Sequence, residues 1–216
     1  MRDLLGDERP VLDVGCGTGG DVRALGVGGV GVDASAVMCG RTRRRGVAVA
    51  RADARFLPFA DGAFGAVGSD RVVQHLEDPA GAVAELARVV RPGGRLVLAD
   101  PDQGSLVIEV PGVAPELIAR VTARRRDRQY RNGTIARRYP ALLAHLGLID
   151  ITVDAHALVL TDPDLAFGLP SWVEVARDAG DATDADVEAW AAGIDAARRD
   201  GGFVYAVTYL VVSGRR

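Results

Sequence analysis

The chain contains no lysine; all 26 of its basic residues are arginine. That excludes Schiff-base chemistry and a lysine general base. Together with the weight of alanine, glycine and valine, it reads as the product of a GC-rich genome rather than a functional choice. Cysteine is scarce too. Cys16 and Cys39 have neither metal-ligand spacing nor a disulfide framework, so a reduced, cytoplasmic setting is expected. No run approaches the ~18 apolar residues of a membrane span, and MRDLLGDERP lacks the apolar core of a signal peptide. A formal charge of -3 gives no general attraction to nucleic acid or to anionic membranes. Internal repeats and low-complexity linkers are absent. What is present, in 216 residues that are 48% hydrophobic and 25% charged, suits one soluble globular domain, 1–216.

Short apolar runs alternate with helical patterns through the first half, which predicts βαβ units and a doubly wound α/β sheet. Strands are expected at 11–14, 29–32, 47–51, 63–69 and 95–99. A short helix spans 20–25, and Ser35 caps the helix that carries Val37, Met38 and the arginines to Arg45. Pro79 opens a helix with the stripe Val83, Leu86, Ala87 and Val90, and Arg91-Pro92-Gly93-Gly94 ends it. Beyond residue 100 the pattern predicts a loop at 100–111 and an arginine-rich helix at 114–130. A helix at 134–146 buries Tyr139, Leu142, Leu143 and Leu146. A β-rich run follows at 149–160, then helices at 164–179 and 184–199, and a last strand at 203–212. The last two strands flank a helical excursion, so they should pair antiparallel at the sheet edge.

The richest stretch is VLDVGCGTGG, residues 11–20. A buried strand opening into Gly15, Gly17, Gly19 and Gly20 lets backbone approach a ligand closely, as at a nucleoside cofactor. Gly15, Gly17 and Gly20 also satisfy the GxGxxG spacing of a dinucleotide turn, so the loop alone leaves the cofactor open. Asp33, in GVDAS, can accept from both ribose hydroxyls of either cofactor. Asp53, in RADARFLPF, can accept from an adenine amino group while the Ala54 backbone meets the ring edge. Asp21 puts negative charge where a pyrophosphate would sit, so an amino-acid-bearing cofactor suits that corner better.

At these residues the chain resembles class I S-adenosylmethionine-dependent methyltransferases, in particular the small-molecule type 11-like group. VLDVGCGTGG, GVDAS, RADARFLPFADGAFGAV, SDRVVQHLEDP and RVVRPGGRLVLAD fall in that family's order and spacing. The resemblance implies a seven-stranded Rossmann-like sheet, mostly parallel with an antiparallel last strand, and S-adenosyl-L-methionine as cofactor. It implies that Asp13 and the backbone of Gly15, Cys16, Gly17 and Gly19 cradle the methionine portion. Asp33 would hold the ribose, Asp53 and Ala54 would meet adenine with Ala34 and Met38 packed nearby, and Ser69 and Asp70 would border the methyl group.

On the acceptor side stand Arg71, Gln74, Arg137 and Arg138, under a substrate-covering insert at 101–140. The first strand begins after about ten residues, where many relatives carry a helical lid. His75 and His145 are the candidate bases; His75 fits a structural or shielding role better, and His145 the polar side of its helix. His156 falls in a β-rich run that cannot tell pocket from surface. The arginines from Arg120 to Arg131 fit a solvated helix face, and Trp172 and Trp190 fit a core. No carboxylate cluster suggests a metal. The implied activity is methyl transfer to O, N or C of a small molecule, in bacterial secondary metabolism, by a monomer or homodimer that binds neither nucleic acid nor membrane. The alternative is a fold that holds the cofactor while guiding a cyclisation or serving as a binding module.

Overall fold

Val11–Val14 is buried along its whole length, as a strand flanked by neighbours on both edges must be. In the computed structural model of the chain, which describes Leu5, residues 8–26 and residues 28–216, this strand is β1. It pairs in parallel with β2 (Gly29–Asp33) on one side and β4 (Phe64–Asp70) on the other. β2 carries β3 (Val49–Arg51), and β4 carries β5 (Val90–Glu109), both in parallel. With β6 (Ile149–Leu160) and β7 (Val204–Arg215) the order is β3-β2-β1-β4-β5-β7-β6. The last strand is antiparallel, as expected. Its end meets the start of β5, where Gly93 N–H donates to Arg216 O (2.7 Å) and Arg216 N–H to Gly94 O (3.0 Å). Strand order reverses between β1 and β4, and a doubly wound sheet takes ligands beyond the carboxyl ends of strands at such a switch point.

Local chemistry sets the first helices. α1 (Gly20–Leu25) follows the glycine turn directly. α2 (Ala36–Arg44) is capped as expected, with Ser35 Oγ accepting from Met38 N–H at 3.3 Å. α3 (Pro79–Val89) has proline in its first turn and Asp78 Oδ1 accepting from Gly81 N–H at 2.8 Å. Its buried face is Ala82, Val83, Leu86, Ala87 and Val89; three residues of the predicted stripe are in it, Ala82 and Val89 join them, and Val90 falls outside the helix as the first residue of β5.

Several boundaries differ from the sequence expectation. β5 absorbs both the turn expected at 91–94 and the loop expected at 100–111. The first is held by its pairing with the chain end, and a register irregularity opposite Phe64 and Ala66 takes up the extra residues. The second is held by Ser105 Oγ, which accepts from Thr208 N–H at 2.8 Å, and by the buried Ile108. The arginine-rich helix is α-helical only as α4 (Pro115–Arg124), and a wide turn, Arg125–Gln129, follows it. The next helix splits into a tight turn, Ile135–Arg138, and α5 (Tyr139–His145). Tyr139 and Leu143 are buried there, whereas Leu146 is 37% exposed and Leu148 takes its inward place. α6 (Leu169–Asp178) starts later than its apolar pattern, and α7 (Asp184–Asp200) opens with a reciprocal cap between Thr183 and Asp186.

The chain divides into two compact units. The first comprises residues 1–101, 135–155 and 210–216, around an apolar cluster in which Leu12, Leu86, Leu96, Leu98 and Leu143 are fully buried. The second comprises residues 102–134 and 156–209, centred on Trp172, Trp190, Leu169 and Phe203. Both of its tryptophans sit in the core with their indole N–H groups satisfied, by Phe167 O (3.1 Å) and Leu169 O (3.0 Å).

Candidate functional site

All the predicted site residues lie in the first unit, and the glycine turn at the end of β1 is tied to Asp33 and lies near Asp13 and Asp70. Gly15 and Cys16 donate their N–H groups to Val32 O (2.7 and 2.9 Å), which ties the turn to β2. Gly15 and Gly17 adopt φ of 79° and 53°. At Gly15 an added Cβ would lie 2.1 Å from Val72 Cγ2, so packing demands glycine. At Gly17 nothing stands within 4 Å of that position, so the turn presents bare backbone to open space. The fully buried Thr42 pins it from α2, its hydroxyl donating to Gly17 O at 2.8 Å.

Asp33, at the end of β2, accepts from Gly17 N–H (2.9 Å) on one carboxylate oxygen and from Ser35 N–H (2.8 Å) on the other. Each oxygen keeps a lone pair for a ribose hydroxyl. Asp13 is buried, and its pKa is pushed up to about 7 by loss of solvent and then by the charges of Asp21, Asp70 and Asp33. Four carboxylates converging on one turn would repel a pyrophosphate and attract a cation. S-adenosylmethionine carries two positive centres, an ammonium and a sulfonium, and this charge distribution fits it. Among the described residues no group of His, Cys, Asp and Glu is placed to hold a metal ion. The Cys16 thiol, pushed up to about 12 by burial and by Asp13, is no nucleophile at neutral pH.

Asp53, expected to meet adenine, is half-buried and engaged by its neighbour. Its carboxylate accepts from Arg55 N–H (2.9 Å) and the Arg55 guanidinium (2.7 Å), which hold it below the usual carboxylate range. An adenine amino group would have to share or displace that partner. Ala54 is buried, Met38 is half-buried, and Ala34 is exposed with its carbonyl accepting from Arg51 Nε at 3.1 Å.

At the carboxyl end of β4, Ser69 is buried and Asp70 half-buried, with Arg71 Nη2 3.3 Å from Asp70. Arg71 adopts the left-handed φ of 57°, and its N–H donates to Ala99 O at 2.9 Å. Gln74 is buried in the tight turn Val73–His75. His75 is exposed, and desolvation lowers its pKa. His145, at the end of α5, and His156, on β6, are exposed, as are Arg137 and Arg138.

Two residues here escaped the sequence reading. Asp100, on β5, is 1% exposed and accepts a hydrogen bond from the hydroxyl of the fully buried Tyr139. Its pKa is pushed up to about 7 by burial. The available signal was its place in LVLAD, an acid directly after an apolar run as Asp33 is in GVDAS. In the second unit, Arg125 departs from the solvated face expected of the arginine run. It is 6% exposed, with its guanidinium 3.7 Å from the Trp172 ring centroid and donating to Tyr130 Oη at 2.7 Å. Arg124 and Arg126 instead pair with Asp181 and Asp127, each at 2.5 Å.

Known proteins show the same pattern. A sequence model described as a methyltransferase domain matches residues 12–98. An uncharacterized 37.1 kDa protein encoded in a transposon of Streptomyces fradiae is 37% identical over 229 residues, which cover 98% of this chain and 64% of that protein. A demethylmenaquinone methyltransferase of Beutenbergia cavernae is 41% identical over 95 residues, 42% of this chain and 40% of its own length. The chain thus spans less than two thirds of either relative. A crystal structure of an S-adenosylmethionine-dependent methyltransferase of Thermotoga maritima, titled a possible histamine N-methyltransferase, has the same fold. It superposes with a TM-score of 0.62 over 99% of this chain and 84% of its own, at 18% identity. The strand order, the glycine turn with its ring of acids and the matched sequence lead to one conclusion: residues 12–98 match a methyltransferase domain, and the chain has the fold of the class I S-adenosylmethionine-dependent methyltransferases.

Proposed function

We propose that the protein transfers a methyl group from S-adenosyl-L-methionine to an O, N or C atom of a small molecule. The observation that carries this reading is the convergence of Asp13, Asp21, Asp33 and Asp70 on a glycine turn whose Gly17 faces open space. When bound, the cofactor supplies a sulfonium-activated methyl group. The chain's own residues then have to align the acceptor and exclude water, and alignment can contribute about 7–11 kcal/mol to such a step. Asp13 and the backbone of Gly15, Cys16, Gly17 and Gly19 would hold the methionine portion, and Asp33 the ribose. Asp53 would take the adenine amino group as Arg55 gives way, beside Ala54, Ala34 and Met38. Ser69 and Asp70 would border the methyl group, with Arg71, Gln74, Arg137 and Arg138 toward the acceptor.

The exposed His75 and His145 have no feature that singles them out as bases, and in-line displacement needs a dedicated base only for an acceptor of high pKa. The acidic balance of the chain disfavours a nucleic-acid acceptor. A bacterial secondary metabolite as acceptor and a cytoplasmic location accord with the GC-rich composition and the two reduced cysteines. The test is titration with S-adenosylhomocysteine, followed by assay of its release from S-adenosylmethionine across phenols, sugars, amines and carboxylic acids. Binding with no turnover on any acceptor would replace this reading with that of a cofactor-holding scaffold.

A further inference from the structure

Buried polar atoms almost always find partners, and those that do not mark a place where something else binds. Among the described residues of the first unit, three buried side-chain oxygens have none: Ser69 Oγ, Gln74 Oε1 and Asp100 Oδ1. Each belongs to a side chain no more than 3% exposed. They are neighbours. Ser69 on β4 is paired with Leu98 on β5, and alternation along the strand turns Asp100 to the same face as Leu98. Gln74 completes the group, its backbone N–H directed at the Asp100 carboxylate. All three lie about the carboxyl end of β4 and the middle of β5, beside the Asp70 that also acts on Asp13 in the glycine turn.

The Tyr139 hydroxyl and the Gln74 backbone N–H act on the Asp100 carboxylate without satisfying both of its oxygens. Its Oδ2 accepts from the Tyr139 hydroxyl, and its Oδ1 is left over. We infer that Asp100 Oδ1 receives the proton of the acceptor's reacting O–H or N–H group, with Tyr139 as its positioning residue and Gln74 Oε1 as a second acceptor for the same ligand. This rests on the methyl-transfer reading and narrows it to acceptors that bear a proton on the reacting atom. In the step, a lone pair of the acceptor oxygen or nitrogen forms the bond to the methyl carbon. The carbon–sulfur bond breaks toward sulfur, which leaves as a neutral thioether, and the displaced proton passes to Asp100.

The groups that act on Asp100 suit this role. Burial and Asp70 on β4 raise its affinity for a proton, while Tyr139 on α5, the Gln74 backbone and Arg71 oppose them, leaving a pKa of about 7. A base with that pKa is half-ionised at neutral pH and strong enough to accept a proton there.

The test uses the full chain with hydroquinone, catechol and primary-amine acceptors, following release of S-adenosylhomocysteine from pH 5 to 9. For the wild type, kcat should rise with pH through an ionisation near 7. D100N keeps the shape of the side chain, and should lower kcat by roughly 10²–10⁴-fold, abolish that limb and leave S-adenosylhomocysteine affinity unchanged. Y139F removes a hydrogen bond that favours the ionised form, and should move the limb to higher pH. D100N turnover within twofold of wild type, or an unmoved limb in Y139F, overturns the assignment and leaves methyl transfer standing. Wild-type protein that binds S-adenosylhomocysteine but methylates none of these acceptors overturns the assignment together with the reading beneath it. If D100N fails to fold, the Y139F profile decides.

Discussion

Gly17 donates its backbone N–H to Asp33 at 2.9 Å, which makes the glycine turn and the acid at the end of β2 one element across 16 residues of sequence. On the proposed reading, the carboxylate that would meet the ribose also holds the backbone that would meet the methionine portion. Loss of Asp33 should therefore disturb two parts of the proposed cofactor site.

Asp33→Ala should weaken S-adenosylhomocysteine binding by about 1.5–3 kcal/mol, the range for hydrogen bonds to a charged group. Asp33→Asn should recover part of that, since one amide oxygen can still accept from Gly17 or Ser35. Calorimetric titration measures both, and an unchanged affinity in the alanine variant would remove Asp33 from the site.

Gly17 and Gly15 should separate binding from folding. Gly17→Ala introduces a Cβ into open space at φ 53°, so its stability cost should stay near the ~1–2 kcal/mol of a left-handed residue. Its effect on cofactor affinity should be larger than that. Gly15→Ala drives a Cβ to 2.1 Å from Val72 Cγ2 and should destabilise the fold itself. Urea melts beside titrations distinguish the two, and a Gly17→Ala variant with full affinity would show that no ligand uses this face.

Asp13 should make stability and binding depend on pH in opposite senses. Its folded pKa of about 7 lies above the ordinary carboxylate value. The folded state therefore binds more protons than the unfolded state between about pH 4 and 7. The stabilisation is complete below the unfolded pKa and is lost as pH rises through 7, on the order of a few kcal/mol. Asp100 contributes with the same sign. Asp13→Asn should melt higher than wild type at pH 8, by a smaller margin at pH 5, and similarly at pH 3. Binding of the cationic cofactor favours the ionised acid, so affinity should rise from pH 6 to 8 with proton release. Calorimetry in buffers of different ionisation enthalpy reads that release, and its persistence in Asp13→Asn would exclude this carboxylate as the source.

Arg125 should matter to the stability of the second unit rather than to cofactor binding. Its guanidinium, stacked on Trp172 and bonded to Tyr130, is desolvated, and a cation over an indole in that state contributes about 2 kcal/mol. Arg125→Lys should not rescue it, because an ammonium lacks the plane that stacks. Denaturant melts should show Arg125→Ala and Arg125→Lys both destabilised, and a lysine variant as stable as wild type would rule out stacking as the cause.

Most of the first hundred residues could be read in advance. Ser35 as a cap, Pro79 at a helix start and the apolar stripe of α3 depend on neighbours within one turn, and such contacts are written in the order of residues. The long strand β5 was harder for the same reason. The turn residues Gly93 and Gly94 lie in it because their backbone pairs with Arg216, and Ser105 continues it through its bond to Thr208. Nothing near either segment announces its partner.

The division runs through the site as well. Local order sufficed for the family, the glycine turn and Asp33, since a strand, a tight turn and an acid at fixed spacing form one short-range structure. Packing between distant segments decided that Arg125 is buried against Trp172 and that Tyr139 faces Asp100 from 39 residues away. It also decided the charge state of the acids. A carboxylate's affinity for a proton depends on the water removed from it and the charges brought beside it, and both are fixed only when the chain has closed around it.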